Sequence, residues 1–183
     1  MAPPSSEPAA RHTIAVIVDN EPGVLARVVG LFSGRGYNIE SLTVAAVSAD
    51  GTSSRINLVT TGTPMIIEQI KAQLQRLVPV QAVRDLTAEG PHIQREVALV
   101  KVVATGAARL EVLRVADIFR ARATDTTVTS FVFAITGSPE KIDSFIELMH
   151  ALGSEVEVAR SGVVAMARGA TALPAGGRGA DRN

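Results

Sequence analysis

The sequence predicts an α+β fold built from two tandem β-α-β-β-α-β modules, on three observations. Apolar residues switch repeatedly between the two-residue period of strands and the wider period of helices. Glu89-Gly90-Pro91 interrupts this pattern once, after which it restarts. A short echo links the halves: Thr61-Gly62-Thr63-Pro64 returns as Thr136-Gly137-Ser138-Pro139, each time between a strand and a helix. The order in each half is the split β-α-β of a ferredoxin-like sandwich.

Thr13–Val18 is β-branched and apolar and reads as the first strand. Asp19–Ile39 then runs from a strand end through a helix and out through glycines. Asn20 is placed to cap that helix and Pro22 to open it. Leu25, Val28 and Phe32 give it an apolar face, and Gly34 and Gly36 end it. The next strand is Ile39–Val47, followed by a turn at Asp50-Gly51. Ser54–Thr61 alternates, which predicts a half-buried strand with Ile56, Leu58 and Thr60 inside and Arg55, Asn57 and Val59 outside. Thr63 and Pro64 open a second helix buried through Ile67, Ile70, Leu74 and Leu77; Pro79 closes it, and Val80–Leu86 is the fourth strand.

In the second half, Glu96–Val103 is a strand and Ala107–Arg122 a helix with Val112, Val115, Ala116 and Phe119 on one side. Thr126–Val128 is a short strand, and Phe131, Phe133 and Ile135 alternate along the next. Ser138-Pro139 starts a helix with Ile142, Phe145, Ile146 and Met149 in the core. Glu155–Ala159 and Val163–Met166 are the last strands. Residues 1–11 are expected to be a flexible arm and 170–183 a disordered tail. The modules between them are expected at 12–88 and 92–168.

Composition narrows the function. The 183 residues are 46% hydrophobic, carry 18 basic and 18 acidic residues, and include no cysteine. Zero net charge gives no footprint for nucleic acid or an anionic membrane. The absence of thiols excludes disulfides and thiolate metal sites and suits a cytoplasmic setting. No apolar run is long enough to cross a membrane. His12, His92 and His150 are scattered without metal-ligand spacing, and no nucleophile, base and oxyanion set stands out. No catalytic and no metal-binding residue is therefore assigned.

The residues at Asp19–Ile39 suit a small anion or zwitterion. A helix start offers free N–H groups and a positive dipole end. Gly23 would let a carboxylate approach the backbone, and Asn20 and Asn38 each carry a donor and an acceptor. The same residues also describe a capped helix between two strands with no ligand, and spacing alone does not choose. A sheet with helices on one face leaves the other face and the edges open, which favours pairing with a second copy. Val44, Ala46 and Val59 are expected to add apolar area to that contact.

Two runs carry a resemblance to a known family. Asp19-Asn20-Glu21-Pro22-Gly23-Val24-Leu25 and Arg35-Gly36-Tyr37-Asn38-Ile39-Glu40-Ser41-Leu42-Thr43-Val44 are similar to the first half of the small, regulatory subunit of acetolactate synthase. Arg95-Glu96, Leu99-Val100-Lys101, Ile118-Phe119-Arg120-Ala121 and the run from Arg160 to Met166 extend the likeness over roughly Arg11 to Gly169. The resemblance implies an ACT domain followed by the ferredoxin-like C-terminal domain of that subunit. It implies a homodimer through the ACT domains that binds valine or another branched-chain amino acid. It further implies a large catalytic subunit as partner, which carries thiamine diphosphate, Mg and FAD, whereas this chain carries no cofactor. The protein would activate that subunit and make it sensitive to feedback inhibition. The implied effector residues are Asn20, Gly23, Val24 and Leu25 from one subunit with Asn38 and Ile39 from its neighbour. The alternative is a free-standing ACT-domain amino-acid sensor acting on another enzyme.

Overall fold

The structure is a computed structural model that describes residues 8–170, 172 and 173. The arm expected at 1–11 lies outside the described residues up to residue 7, as does the tail apart from residues 170, 172 and 173. The first module runs β1 (Ala10–Asp19), α1 (Val24–Ser33), β2 (Ser41–Ala46), β3 (Ser53–Gly62), α2 (Pro64–Arg76) and β4 (Val80–Asp85). A single helical turn, α3 (Leu86–Glu89), follows. The second module repeats the order as β5 (His92–Val103), α4 (Gly106–Ile118), β6 (Arg122–Thr126), β7 (Ser130–Gly137), α5 (Pro139–Leu152) and β8 (Glu155–Arg160). A last strand, β9 (Val164–Ala167), pairs with β5.

The two sheets have the same plan. The first is ordered β2-β3-β1-β4 and the second β6-β7-β5-β8, with the paired neighbours antiparallel. This is the ferredoxin-like order, met twice. The chain forms two compact units, residues 8–93 with those described from Ala165 onward, and Gln94–Val164.

Each unit has its own core. In the first, Ile14, Val16, Val18, Ile56 and Leu58 from the sheet meet Val28 and Phe32 of α1 and Ile67, Ile70 and Leu74 of α2. In the second, Val100, Phe131, Phe133 and Ile135 meet Val112, Phe145 and Met149. The helix starts of the echoed motif form as their residue types require. Thr63 accepts a hydrogen bond from the Ile66 N–H, and Ser138 accepts one from the Lys141 N–H. The glycine before the first cap has a packing reason, whereas the second faces only a movable lysine side chain. A Cβ on Gly62 would sit 3.0 Å from Ile66 Cγ2, and one on Gly137 would sit 2.7 Å from Lys141 Cδ.

Three expectations are corrected. First, α1 begins at Val24, after Gly23 in the left-handed region (φ 83°), with no side-chain cap. Asn20 and Pro22 therefore belong to the loop before the helix. Second, α4 stops at Ile118 rather than Arg122. Arg120 takes a left-handed φ of 56°, and the Ala121 N–H bonds back to the Ala116 carbonyl at 2.8 Å. That is the closing bond of a glycine-type helix end, made here without glycine. The following strand starts at Arg122, four residues before the expected Thr126.

Third, β3 is not half-buried. Asn57 and Val59, expected outside, are 5% and 0% exposed, and Ala15 and Ile17 of β1 are also buried. The second face of this sheet is covered from within its own unit. Leu86 of α3 is buried, and the Thr13 N–H donates to Thr87 Oγ1 (3.0 Å). Arg55 Nη2 donates to the carbonyl of Ala165 (2.7 Å), 110 residues further on. Val59 is therefore unavailable for contact with another chain, whereas Val44 on the edge strand β2 remains exposed. In the second unit the corresponding face stays open, with Val97 and Leu99 nearly half exposed.

Candidate functional site

The loop from Asp19 to Gly23 is held by bonds on three sides. The Asp19 N–H donates to the Pro79 carbonyl (2.7 Å), and Asp19 Oδ1 accepts from Gln81 Nε2 (2.6 Å). The Asn20 N–H donates to the Thr52 carbonyl (2.7 Å). Asn20 Nδ2 donates to the Gly51 carbonyl (2.9 Å), which fixes the amide so that its Oδ1 is the free acceptor. The turn carrying Gly51 is itself braced. Asp50 accepts from the Thr52 N–H (3.1 Å) and the Thr52 hydroxyl (2.8 Å). Hydrogen bonding from Ser48 first, and then Thr52, lowers the Asp50 carboxyl to about 2.

The start of α1 is open. The Val24 N–H reaches the Glu21 carbonyl (3.3 Å) and the Arg27 N–H the Gly23 carbonyl (3.1 Å). Between them, the amides of Leu25 and Ala26 have no acceptor among the described residues. Nothing lies within 4 Å of where a Gly23 side chain would begin. Two free amides at a positive dipole end, beside open space, have the chemistry to accept a carboxylate. Ala26 is absent from the sequence-based set because helix register moves the free amides one residue onward.

The six expected effector residues divide into two groups. Asn20, Gly23, Val24 and Leu25 share the loop and first helical turn; Val24 is buried in the core, and Leu25 is 39% exposed. Asn38 and Ile39 lie beyond the end of the same helix. Asn38 is exposed and its carbonyl accepts from Thr60 Oγ1 (2.6 Å), while Ile39 packs partly against the core. Asn20 is thus tied to Thr52 and Asn38 to Thr60, at opposite ends of β3. Eight residues of extended chain separate those anchors by about 26 Å. One copy of the chain does not bring the two asparagines together.

Among the described residues, no group of three or more His, Cys, Asp and Glu side chains could hold a metal ion. No described helix is long and apolar enough to cross a membrane. His12 pairs through Nδ1 with the buried Asp85 (2.7 Å). Asp85 also caps α3 by accepting from the Thr87 and Ala88 amides.

An antiparallel four-stranded sheet under two helices, with an open glycine-led helix start at the end of β1, is a ferredoxin-like module with free amides at one end. The comparisons make this specific. Residues 14–82 match the family described as "AHAS small subunit-like ACT domain", and residues 95–169 match "Small subunit of acetolactate synthase". The chain belongs to the acetolactate synthase small subunit family. It is 46% identical to the acetolactate synthase isozyme 3 small subunit of Salmonella typhimurium, over 87% of this chain and 96% of that protein. It is 44% identical to a probable acetolactate synthase small subunit of Archaeoglobus fulgidus, over 87% of this chain and 98% of that one. The crystal structure of the acetolactate synthase small subunit from Thermotoga maritima superposes with a TM-score of 0.78 at 35% identity, covering 88% of this chain and 99% of that one. As a small subunit, the chain is regulatory, and its partner is the catalytic subunit of that enzyme.

Proposed function

We propose that the first module, residues 12–88, binds valine or another branched-chain amino acid between two copies of the chain. Binding there lowers the activation that the chain gives its catalytic subunit. The observation that carries this reading is that Asn20 and Asn38 are tied to Thr52 and Thr60, anchors about 26 Å apart at extended rise. Antiparallel pairing of two β2 edges about a two-fold axis would set the Gly23 end of one copy beside the Asn38 end of the other. The effector's carboxylate would then take the Leu25 and Ala26 amides. Its ammonium group would take Asn20 Oδ1 and the partner's Asn38. Leu25, exposed on the outer flank of α1, and the partner's Ile39 would wall the side chain.

In this reading the chain has no catalysis of its own and holds no cofactor. The chemistry, with thiamine diphosphate, Mg and FAD, belongs to the catalytic subunit in the cytoplasm. The second module, residues 92–168, takes part in holding that partner. Calorimetric titration of the purified chain with valine tests the effector site, with Asn38→Ala beside it. Binding at about one site per chain or fewer, lost in the variant, is the expected result. Binding that survives Asn38→Ala unchanged would refute the shared site.

A further inference from the structure

A second feature lies on the other flank of α1. A groove of about 440 Å³ runs between α1 and α2, lined by Arg27, Leu31, Arg35, Gln73, Arg76 and Leu77. Arg27, Leu31 and Arg35 recur every four residues along α1 and just past its end, and Gln73, Arg76 and Leu77 recur at helical spacing from α2 into its C-cap. The arginines from 27 to 35 span about 12 Å at helical rise.

The charge of this face is unbalanced. None of Arg27, Arg35 and Arg76 makes an ion pair or side-chain hydrogen bond with a described residue. Helix α1 has no acidic residue, and the one acidic residue of α2, Glu68, already pairs with Lys71 (2.8 Å). Three unpaired guanidinium groups therefore stand on one groove in a chain whose net charge is zero. The floor is apolar, through Leu31 and Leu77. Gln73 also lines the groove, with its Oε1 buried beneath the surface and without a donor among the described residues.

These features define what fits: carboxylates for the arginines and an apolar side chain for the floor. A bare phosphate or carboxylate supplies no apolar group. An acidic peptide segment supplies both. Arg27 lies about 160° round the helix from Leu25, so the groove is separate from the effector flank and stays uncovered when two β2 edges pair. We infer that this groove docks an acidic, apolar-bearing segment of the catalytic subunit. The identity of that partner rests on the regulatory reading above. Helix α1 then carries the effector loop at its N-terminus and the partner's segment along its opposite flank.

The test uses the full chain and the catalytic subunit. The concentration of chain giving half-maximal activation is measured at low and moderate salt, for the parent and for the combined Arg27→Glu, Arg35→Glu, Arg76→Glu variant. Lys71→Glu, a charge reversal on α2 about 140° round the helix from Arg76, serves as control. The expected result is a rise of about tenfold or more in that concentration for the combined variant, with weaker salt dependence. The control should match the parent, and valine binding by the free variant should be unchanged. Half-activation at the parent's concentration would overturn the inference, as would an equal loss in the control. Loss of valine binding by the combined variant would overturn it too, because the groove would then belong to the effector site. The parent's failure to bind valine would bear on the effector reading alone, since activation is read without valine.

Discussion

If each effector site joins Asn20 of one copy to Asn38 of its partner, two defective chains can repair each other. The perturbation is a pair of single variants, Asn20→Ala and Asn38→Ala. A homodimer of either has lost one half of both sites. In a mixed dimer, one site contains both alanines, and the other contains the intact Asn20 of one chain and the intact Asn38 of the other. The distance makes this a strict test, because the anchors of the two residues, Thr52 just before β3 and Thr60 within it, stand about 26 Å apart at extended rise. No loop adjustment in a single copy closes that gap. Random mixing at equal amounts makes about half of the dimers mixed, so about a quarter of the parent's sites reappear. Calorimetric stoichiometry after the two chains are mixed and re-equilibrated reads this directly, against each variant alone. Zero recovery in a sample shown to contain mixed dimers would refute the shared site.

Other consequences are local. Gly23 sits at φ 83° with open space around it, so Gly23→Val meets backbone strain rather than a clash, costing about 1–2 kcal/mol. It should abolish inhibition by valine while leaving activation in place, as inhibition curves on the reconstituted enzyme would show. In the second unit, Glu96 is 4% exposed and both its oxygens accept from Arg160 (2.7 and 2.6 Å), which also holds Asp143 (2.6 Å). Arg160→Ala leaves that carboxylate buried and should cost about 2–3 kcal/mol, tempered by the partial exposure of the arginine, read by denaturant titration. Asp50 gives a pH dependence of known sign. Its carboxyl is lowered from 3.8 to about 2 in the folded chain, so its bracing of the loop is full above the ordinary value and is lost as pH falls from 3.8 toward 2. Protection of the Thr52 amide, which donates to Asp50, relative to its intrinsic exchange should fall across that window, and Asp50→Asn should remove the dependence.

Elements whose cause is local were readable in the sequence. Phe131, Phe133 and Ile135 alternate because one face of β7 meets two helices, and Thr63 and Ser138 cap because a hydroxyl there satisfies a free amide. What escaped depends on residues far apart or on rare backbone angles. The start of α1 moved because a left-handed Gly23, rather than the Asn20 side chain, turns the chain into the helix. The end of α4 was hidden because Arg120 takes an angle normally reserved for glycine. The covered second face of the first sheet needs Arg55 to meet Ala165, a contact no local period reports. For the site, the resemblance named the residues and helix geometry supplied the chemistry. Their distribution over the two ends of β3 follows from strand register, which sequence periodicity does not fix.

The placement of α1 bears on how an effector could act. The helix is fastened to the sheet through Val28 and Phe32, at 0% and 1% exposed, so it has little freedom to slide within its unit. On the proposed reading, a ligand at its first turn would therefore act by fixing one unit against the partner copy's unit. Any segment held along the groove moves with it. For valine to inhibit, it must bind one such arrangement of the dimer more tightly than the other. By linkage, the catalytic subunit must then weaken valine binding by the factor by which valine weakens its hold. A tenfold effect corresponds to about 1.4 kcal/mol, within reach of one changed charge-assisted contact in each copy. Valine titrations of the free chain and of the assembled enzyme should accordingly differ in affinity. Equal affinities would show that valine does not control assembly, and would place inhibition at a later step within the intact complex.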